Sequence, residues 1–244
     1  MASEYWNQKF KDVKPEEKRK LTGKERWQNW WHYHKWHVVI GIVLLAIVLD
    51  IGKDVLGIGK VEPDYQIAYI GESVLPDDTV AALEQAIAAL GEDCNGDGQT
   101  IVRVNQYVEA DAGQDSENAY YTYASQMTLM ADLESCDSYF FLLEQPEDVQ
   151  KDYQILRRLD GSLPEEDDRD YESCYLSWSD CPVLSGLELG SYSYLAAGQT
   201  VSGDSQELLS RLSFARRGFW TEKASANVEA CDALWAVLTE GGLS

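Results

Sequence analysis

Histidine does not occur after residue 37 of this 244-residue chain, and the three present (His32, His34, His37) stand together. A Ser-His-Asp triad, a Cys-His pair or a His-ligated zinc therefore cannot be assembled from residues 57–244. That stretch also lacks a Gly-x-Ser-x-Gly nucleophile elbow and a GxxxxGK[ST] phosphate loop. No Cys-x-x-Cys pair exists, which removes zinc knuckles and thioredoxin-like redox pairs. Five cysteines (Cys94, Cys136, Cys174, Cys181, Cys231) cannot all pair within one chain, and only Cys174 and Cys181, in CYLSWSDC, are close enough in sequence for a small ring. Basic residues are scarce after residue 56: ten Lys/Arg face 35 Asp/Glu, a formal charge of −25. Such acidity argues against nucleic acid and against adhesion to anionic lipid, and leaves cation binding, basic partners or plain solubility. Of acid–base chemistry only the carboxylate kind survives, such as a glycan hydrolase with a carboxylate pair, and nothing in the pattern selects two acids from 35.

Long apolar runs are missing too. The longest is Val38 to Leu49 (VVIGIVLLAIVL), which as a helix reaches about 18 Å against a hydrocarbon thickness of about 30 Å. Its flanks extend it. Trp27, Trp30, Trp31, Tyr33 and Trp36 precede it, and indole rings favour the headgroup zone; Asp50, Lys53 and Asp54 follow at the far side. From Trp30 to Leu49 the segment is long enough to cross. Residues 1–36 hold nine Lys/Arg against five Asp/Glu, a charge of +4, so the positive-inside bias keeps them cytoplasmic. The basic region is too long for a cleaved signal peptide, and no Ala-x-Ala site or nearby lipidated cysteine follows. The expectation is a single-pass signal anchor in the cell membrane. It has a cytoplasmic tail (1–36), a span at 37–56 that begins as early as residue 30, a tether (57–63) and an extracytoplasmic domain (64–244). Lipid contact falls on residues 30–56.

The outer part alternates strand and helix. Asp64–Ile70 and Ile101–Val108 read as strands, and Ser138–Leu143 as a strand buried on both faces. Pro76–Thr79 opens a helix with apolar residues at 80, 83, 87 and 90. Asn118–Leu133 reads as a second helix from its apolar and aromatic residues at 120, 123, 127 and 130, with Tyr120, Tyr121 and Tyr123 as a face partly in the core. Pro146 starts a third that runs to Asp160-Gly161. This spacing predicts right-handed β-α-β units, hence an α/β, three-layer domain with a mainly parallel sheet of order 2-1-3. Residues 161–193 read as irregular, Tyr194–Val201 and Leu212–Arg216 as further strands, and Asn227–Leu238 as a final helix.

Two motifs carry candidate chemistry. Asp93, Asn95, Asp97 and Gln99, with Gly96 between, match the first half of a calcium loop, with oxygens at positions 1, 3, 5 and 7 and Gly at 6. Val104 stands where the bidentate acid of position 12 belongs, and a plain Asn/Asp/Gly turn explains the same residues. Arg216 and Arg217, beside Phe219 and Trp220, form a possible anion clamp; pairing with local acids at a strand end is the simpler reading.

DYQIAYI, IVRVNQYV and CDSYFFLLEQPEDVQ, with their intervening helices, resemble one lobe of bacterial extracellular solute-binding proteins over residues 64–160 and more faintly 212–240. The YHKWHVVIGI segment is similar to that of uncharacterised single-pass membrane proteins of Gram-positive bacteria. The resemblance implies binding of a solute or a protein partner without catalysis. The chain is too short for two lobes and a hinge cleft, so no ligand-contacting residue carries over. A receptor of this kind places its pocket at the C-terminal ends of the parallel strands, whereas a structural docking module shows an exposed apolar patch instead.

Overall fold

The computed structural model describes residues 22–55, 62–109, 116–165, 168–196, 198–219 and 224–242, and the chain divides into two units, residues 1–61 and 62–244. The described residues of the first unit form one helix, α1 (Gly23–Val55), about 50 Å long at 1.5 Å per residue. Its start is a capping box: the Glu25 carboxylate accepts the Thr22 N–H (2.8 Å) and hydroxyl (3.0 Å). Its most apolar eighteen-residue window has a mean hydropathy of 2.0, and none of that window is buried against protein. At the aromatic end Trp30 stacks on Trp27 (5.2 Å) and on His34 (5.1 Å). The helix is long and apolar enough to cross a membrane.

The second unit is an α/β domain. Its first strand, β1 (Tyr65–Gly71), pairs in parallel with β2 (Val102–Val108) and with β3 (Phe140–Leu143). Two further strands, β4 (Tyr175–Ser177) and β7 (Ser213–Arg216), complete the order β2-β1-β3-β7-β4, with β7 antiparallel to both neighbours. The 2-1-3 start is as expected. The separate hairpin of β5 (Ser191–Ala196) and β6 (Gln199–Asp204) is not, because Tyr194–Val201 reads as one strand in sequence and instead spans its turn.

Successive strand residues alternate between two cores, as the pleat requires. Ile67, Tyr69, Phe140, Leu142 and Phe214 join Leu83 and Ile87 of α2 (Asp77–Ala88) and Leu234 and Trp235 of α7 (Val228–Leu238). Ala68, Ile70, Phe141, Leu143 and Ala215 join Leu129 of α3 (Ser116–Ser135) and Val149 of α4 (Pro146–Tyr153). The β1-to-β2 and β2-to-β3 connections run in opposite directions, so crossovers of one hand put α2 and α3 with different cores. Between β4 and β7, α5 (Pro182–Ser185) and α6 (Ser205–Leu209) fill out the first core; Gln206 of α6 accepts from the buried Trp178 indole (2.8 Å).

Three expectations are corrected. Helix α4 stops at Tyr153, because Gln154 turns left-handed (φ 51°) and Leu156 leaves to bridge Arg217. Helix α3 is rotated: Thr122, Leu129 and Asp132 are buried, while Tyr120, Tyr123, Met127 and Met130 are 70, 63, 54 and 51% exposed. Its inner face is polar because it serves backbone needs, as when Ser125 Oγ accepts the Val108 N–H (2.7 Å). All five cysteines are free, and Cys174 and Cys181 belong to different cores, so the sheet separates the pair that sequence proximity offered.

Candidate functional site

Four of the ten basic residues beyond position 56 (Arg157, Arg158, Arg216, Arg217) gather where β7 ends beside the start of β3. Arg216 is paired. Its Nη1 donates to Asp232 Oδ1 (3.1 Å), which also accepts the Tyr139 hydroxyl (2.5 Å) and lies 3.6 Å from Arg157 Nη1. The Arg216 guanidinium sits 5.1 Å from the Trp235 ring centroid, a cation–π contact that anchors it to α7. Burial first, then the bond to Asp232, pushes the Tyr139 phenol above its ordinary range. Arg158 is held by Asp168.

Arg217 is different. It is 5% exposed, and of its nitrogens only Nη2 has a partner, the Leu133 carbonyl; Nε and Nη1 are buried with none. A guanidinium out of water without a counter-charge is costly, because desolvation is not offset. Its backbone leaves no freedom to escape: the Arg217 N–H donates to the Tyr139 carbonyl (2.9 Å) and Gly218 N–H to that of Ile155 (2.8 Å).

Arg217 lies in the wall of a cavity of about 770 Å³, within the range of small-molecule sites. Leu133, Tyr153, Ile155, Tyr171 and Phe219 provide apolar walls, and Glu134, Gln150, Gln154, Glu165 and Asp168 the remaining polar ones. Asp168 is engaged by Arg158, and Gln150 Oε1 accepts the Leu156 N–H (2.8 Å). Arg217 is thus the cation, among the described lining residues, of a mixed wall that also carries the carboxylates of Glu134, Glu165 and Asp168.

This cavity adjoins the N-terminal ends of the parallel strands, opposite the end where an open α/β sheet ordinarily binds ligands. At the C-terminal ends a recess of about 640 Å³ lies between β2 and α3 (Tyr107, Val108, Tyr121, Ser125), but the crevice where the strand order reverses between β1 and β3 opens only about 60 Å³. Glu144 closes it: one carboxylate oxygen accepts the Tyr69 hydroxyl (2.9 Å) and the other the Glu72 N–H (2.7 Å). A Cβ on Gly71 would meet the Tyr69 hydroxyl at 2.3 Å, so the crevice has no room for an added side chain.

The calcium-like segment forms a turn after α2. Asp93 accepts Gly96 N–H (2.6 Å) and Gly98 N–H (2.7 Å), Asn95 Oδ1 accepts Asp97 N–H (2.8 Å), and Asp97 Oδ1 accepts Gln99 N–H (2.8 Å). Gly96 and Gly98 take positive φ (76° and 87°). Both Asp93 oxygens and one each of Asn95 and Asp97 thus serve the backbone, and the bonds from Gly98 and Gly96 hold the Asp93 carboxyl below its ordinary pKa. Asp64 braces the turn from outside, accepting the Cys94 and Ile101 N–H groups (2.8 Å each). Loop position 12, Val104, is buried in β2, and among the described residues no three His, Cys, Asp or Glu converge as metal ligands. The loop does not by itself build a calcium shell.

Of the residues singled out from sequence, Arg216 and Arg217 come together with opposite roles, and Trp220 lies outside the described residues. Asp64, Asp132 and Asp232 were not singled out, nor was the cavity wall. Its residues come from five separated segments and share no local motif. Compared with family models, curated proteins and solved structures, the chain finds no match.

Proposed function

We propose that this protein is a membrane-anchored, extracytoplasmic binding module, non-catalytic, with a three-layer domain that captures a small organic ligand through one anionic group. Arg217 carries the reading: a buried, one-third-partnered guanidinium beside an apolar-walled cavity is complementary to a carboxylate or phosphate group on an apolar body. Release of that unpaired charge on binding provides the affinity that the apolar walls then direct.

The experiment is a thermal-shift and calorimetric screen of the full chain in nanodiscs against a panel of organic mono-anions and their neutral amides. Anions are expected to raise Tm where amides do not. Arg217→Met should abolish that shift while leaving the ligand-free domain as stable as the wild type or more so, by about 1–2 kcal/mol, since it removes an uncompensated buried charge. Marked destabilisation by Arg217→Met with no anion effect in the wild type would assign Arg217 to structure alone.

A further inference from the structure

Helix α3 presents an apolar face away from its own core. Tyr120, Tyr123, Met127 and Met130 are spaced 3-4-3, so at 3.6 residues per turn they form one stripe. The buried residues Thr122, Leu129 and Asp132 occupy the opposite side, and all four stripe residues are at least half exposed. Spacing of 3-4-3 is that of a helix–helix seam, in which alternate side chains insert between those of a facing helix. The stripe is also uncharged: from Asn118 to Ala131 there is no acidic or basic residue, in a part of the chain carrying −25. A binding surface for a basic partner would place acids there. A surface for another molecule with the same charge would leave them out.

We infer that α3 is a self-association surface, in which the Tyr120–Met130 stripe of one molecule packs on the same stripe of a second copy. Residue i meets j and j meets i in such a two-fold contact, so a seam without charges is self-complementary. The seam is under two heptads long, too short to hold strongly in dilute solution. Anchoring through α1 confines the copies to one plane and raises their effective concentration. Like-charged domains oppose the contact over a Debye length, so salt favours it.

The test is fluorescence energy transfer between donor- and acceptor-labelled full-length chains in vesicles. Transfer above the random-proximity level, rising from low to physiological salt, is expected for the wild type and for Met127→Leu. Tyr123→Glu/Met127→Glu should return it to the random level, and the melting temperature of that variant reports its folding. As a second readout, Met127→Cys should give a cross-linked dimer with a short bismaleimide, while the wild type and Gln85→Cys, on the exposed side of α2, should not. Random-level transfer in the wild type, or unchanged transfer in the double Glu variant, overturns the proposal; the latter result would move the contact to α1 or another surface.

Discussion

The buried carboxylates among the described residues, Asp64 and Asp132, are satisfied by amide, phenol and hydroxyl donors instead of cations. Asp132 accepts the Tyr107 hydroxyl (2.5 Å), the Ser138 hydroxyl (2.6 Å) and the Ser138 N–H (2.9 Å). Among half-buried acids, Tyr69 serves Glu144 and Tyr153 serves Glu109, while Asp232 combines the Tyr139 hydroxyl with Arg216. With ten Lys/Arg for 35 acids, charge pairing could not cover them, and a charge-assisted O–H bond is the available substitute. The consequence lies at high pH. Burial first, and then these bonds, raise the phenols of Tyr69, Tyr107, Tyr139 and Tyr153, while burial pushes the Cys231 thiol up to about 12 and that of Cys181 to about 11. All are acids neutral in the fold, so their contribution is complete below the unfolded values and lost as pH rises through them. Stability should therefore fall from about pH 9 upward, and tyrosinate absorbance should appear together with loss of the near-ultraviolet circular dichroism signal. Gradual tyrosine ionisation in a still-folded domain would contradict this.

At the scale of elements, the open edge of the sheet is managed by the helices beside it. β2 has one strand neighbour, and its outward amides are potential templates for another chain. Glu84 of α2 accepts the Val104 N–H (2.8 Å) and Ser125 of α3 accepts that of Val108, while Gln106 fastens Leu75 (2.7 Å). Glu84→Ala should cost about 0.5–1.5 kcal/mol in denaturant unfolding and increase aggregation, whereas Glu84→Gln, which keeps an acceptor, should do neither. The same duty explains why α3 was misread. Its polar residues are wanted inward, at Asp132 and Ser125, so hydrophobicity marks its outer face. Counting apolar positions finds a helix of the right length and assigns its orientation backwards. The end of α4 was equally hidden, because Gln154 takes the left-handed turn that a glycine ordinarily signals.

For the whole molecule, α1 and the α/β unit obey different solvents. Among the described residues, none of the most hydrophobic window of α1 is buried, whereas the second unit closes two cores around one sheet. Under the proposed topology, the full chain should resist alkaline extraction from membranes. Protease added from the cytoplasmic side should trim only the basic N-terminal residues, leaving residues 62–244 intact. Cleavage of the acidic domain from that side would reverse the orientation.

What the amino-acid order settled alone was whatever depends on neighbours along the chain. The apolar segment with its tryptophan flank, the β-α-β-α-β succession, the 2-1-3 order and the strand buried on both faces all follow from periodicities of 2 and 3.6 and from charge steps. What only the tertiary structure decided depends on which partners arrive from far away. Arg216 and Arg217 are adjacent in sequence and chemically alike. Asp232, sixteen residues on, neutralises one, while the other enters a cavity wall where two of its three nitrogens find no hydrogen-bond partner. Likewise, Glu144, brought beside Tyr69 and Glu72, filled the crevice between β1 and β3, and the cavity that holds Arg217 formed at the opposite end of those strands. Neither outcome has a local signature, because burial and pairing are properties of contacts between segments.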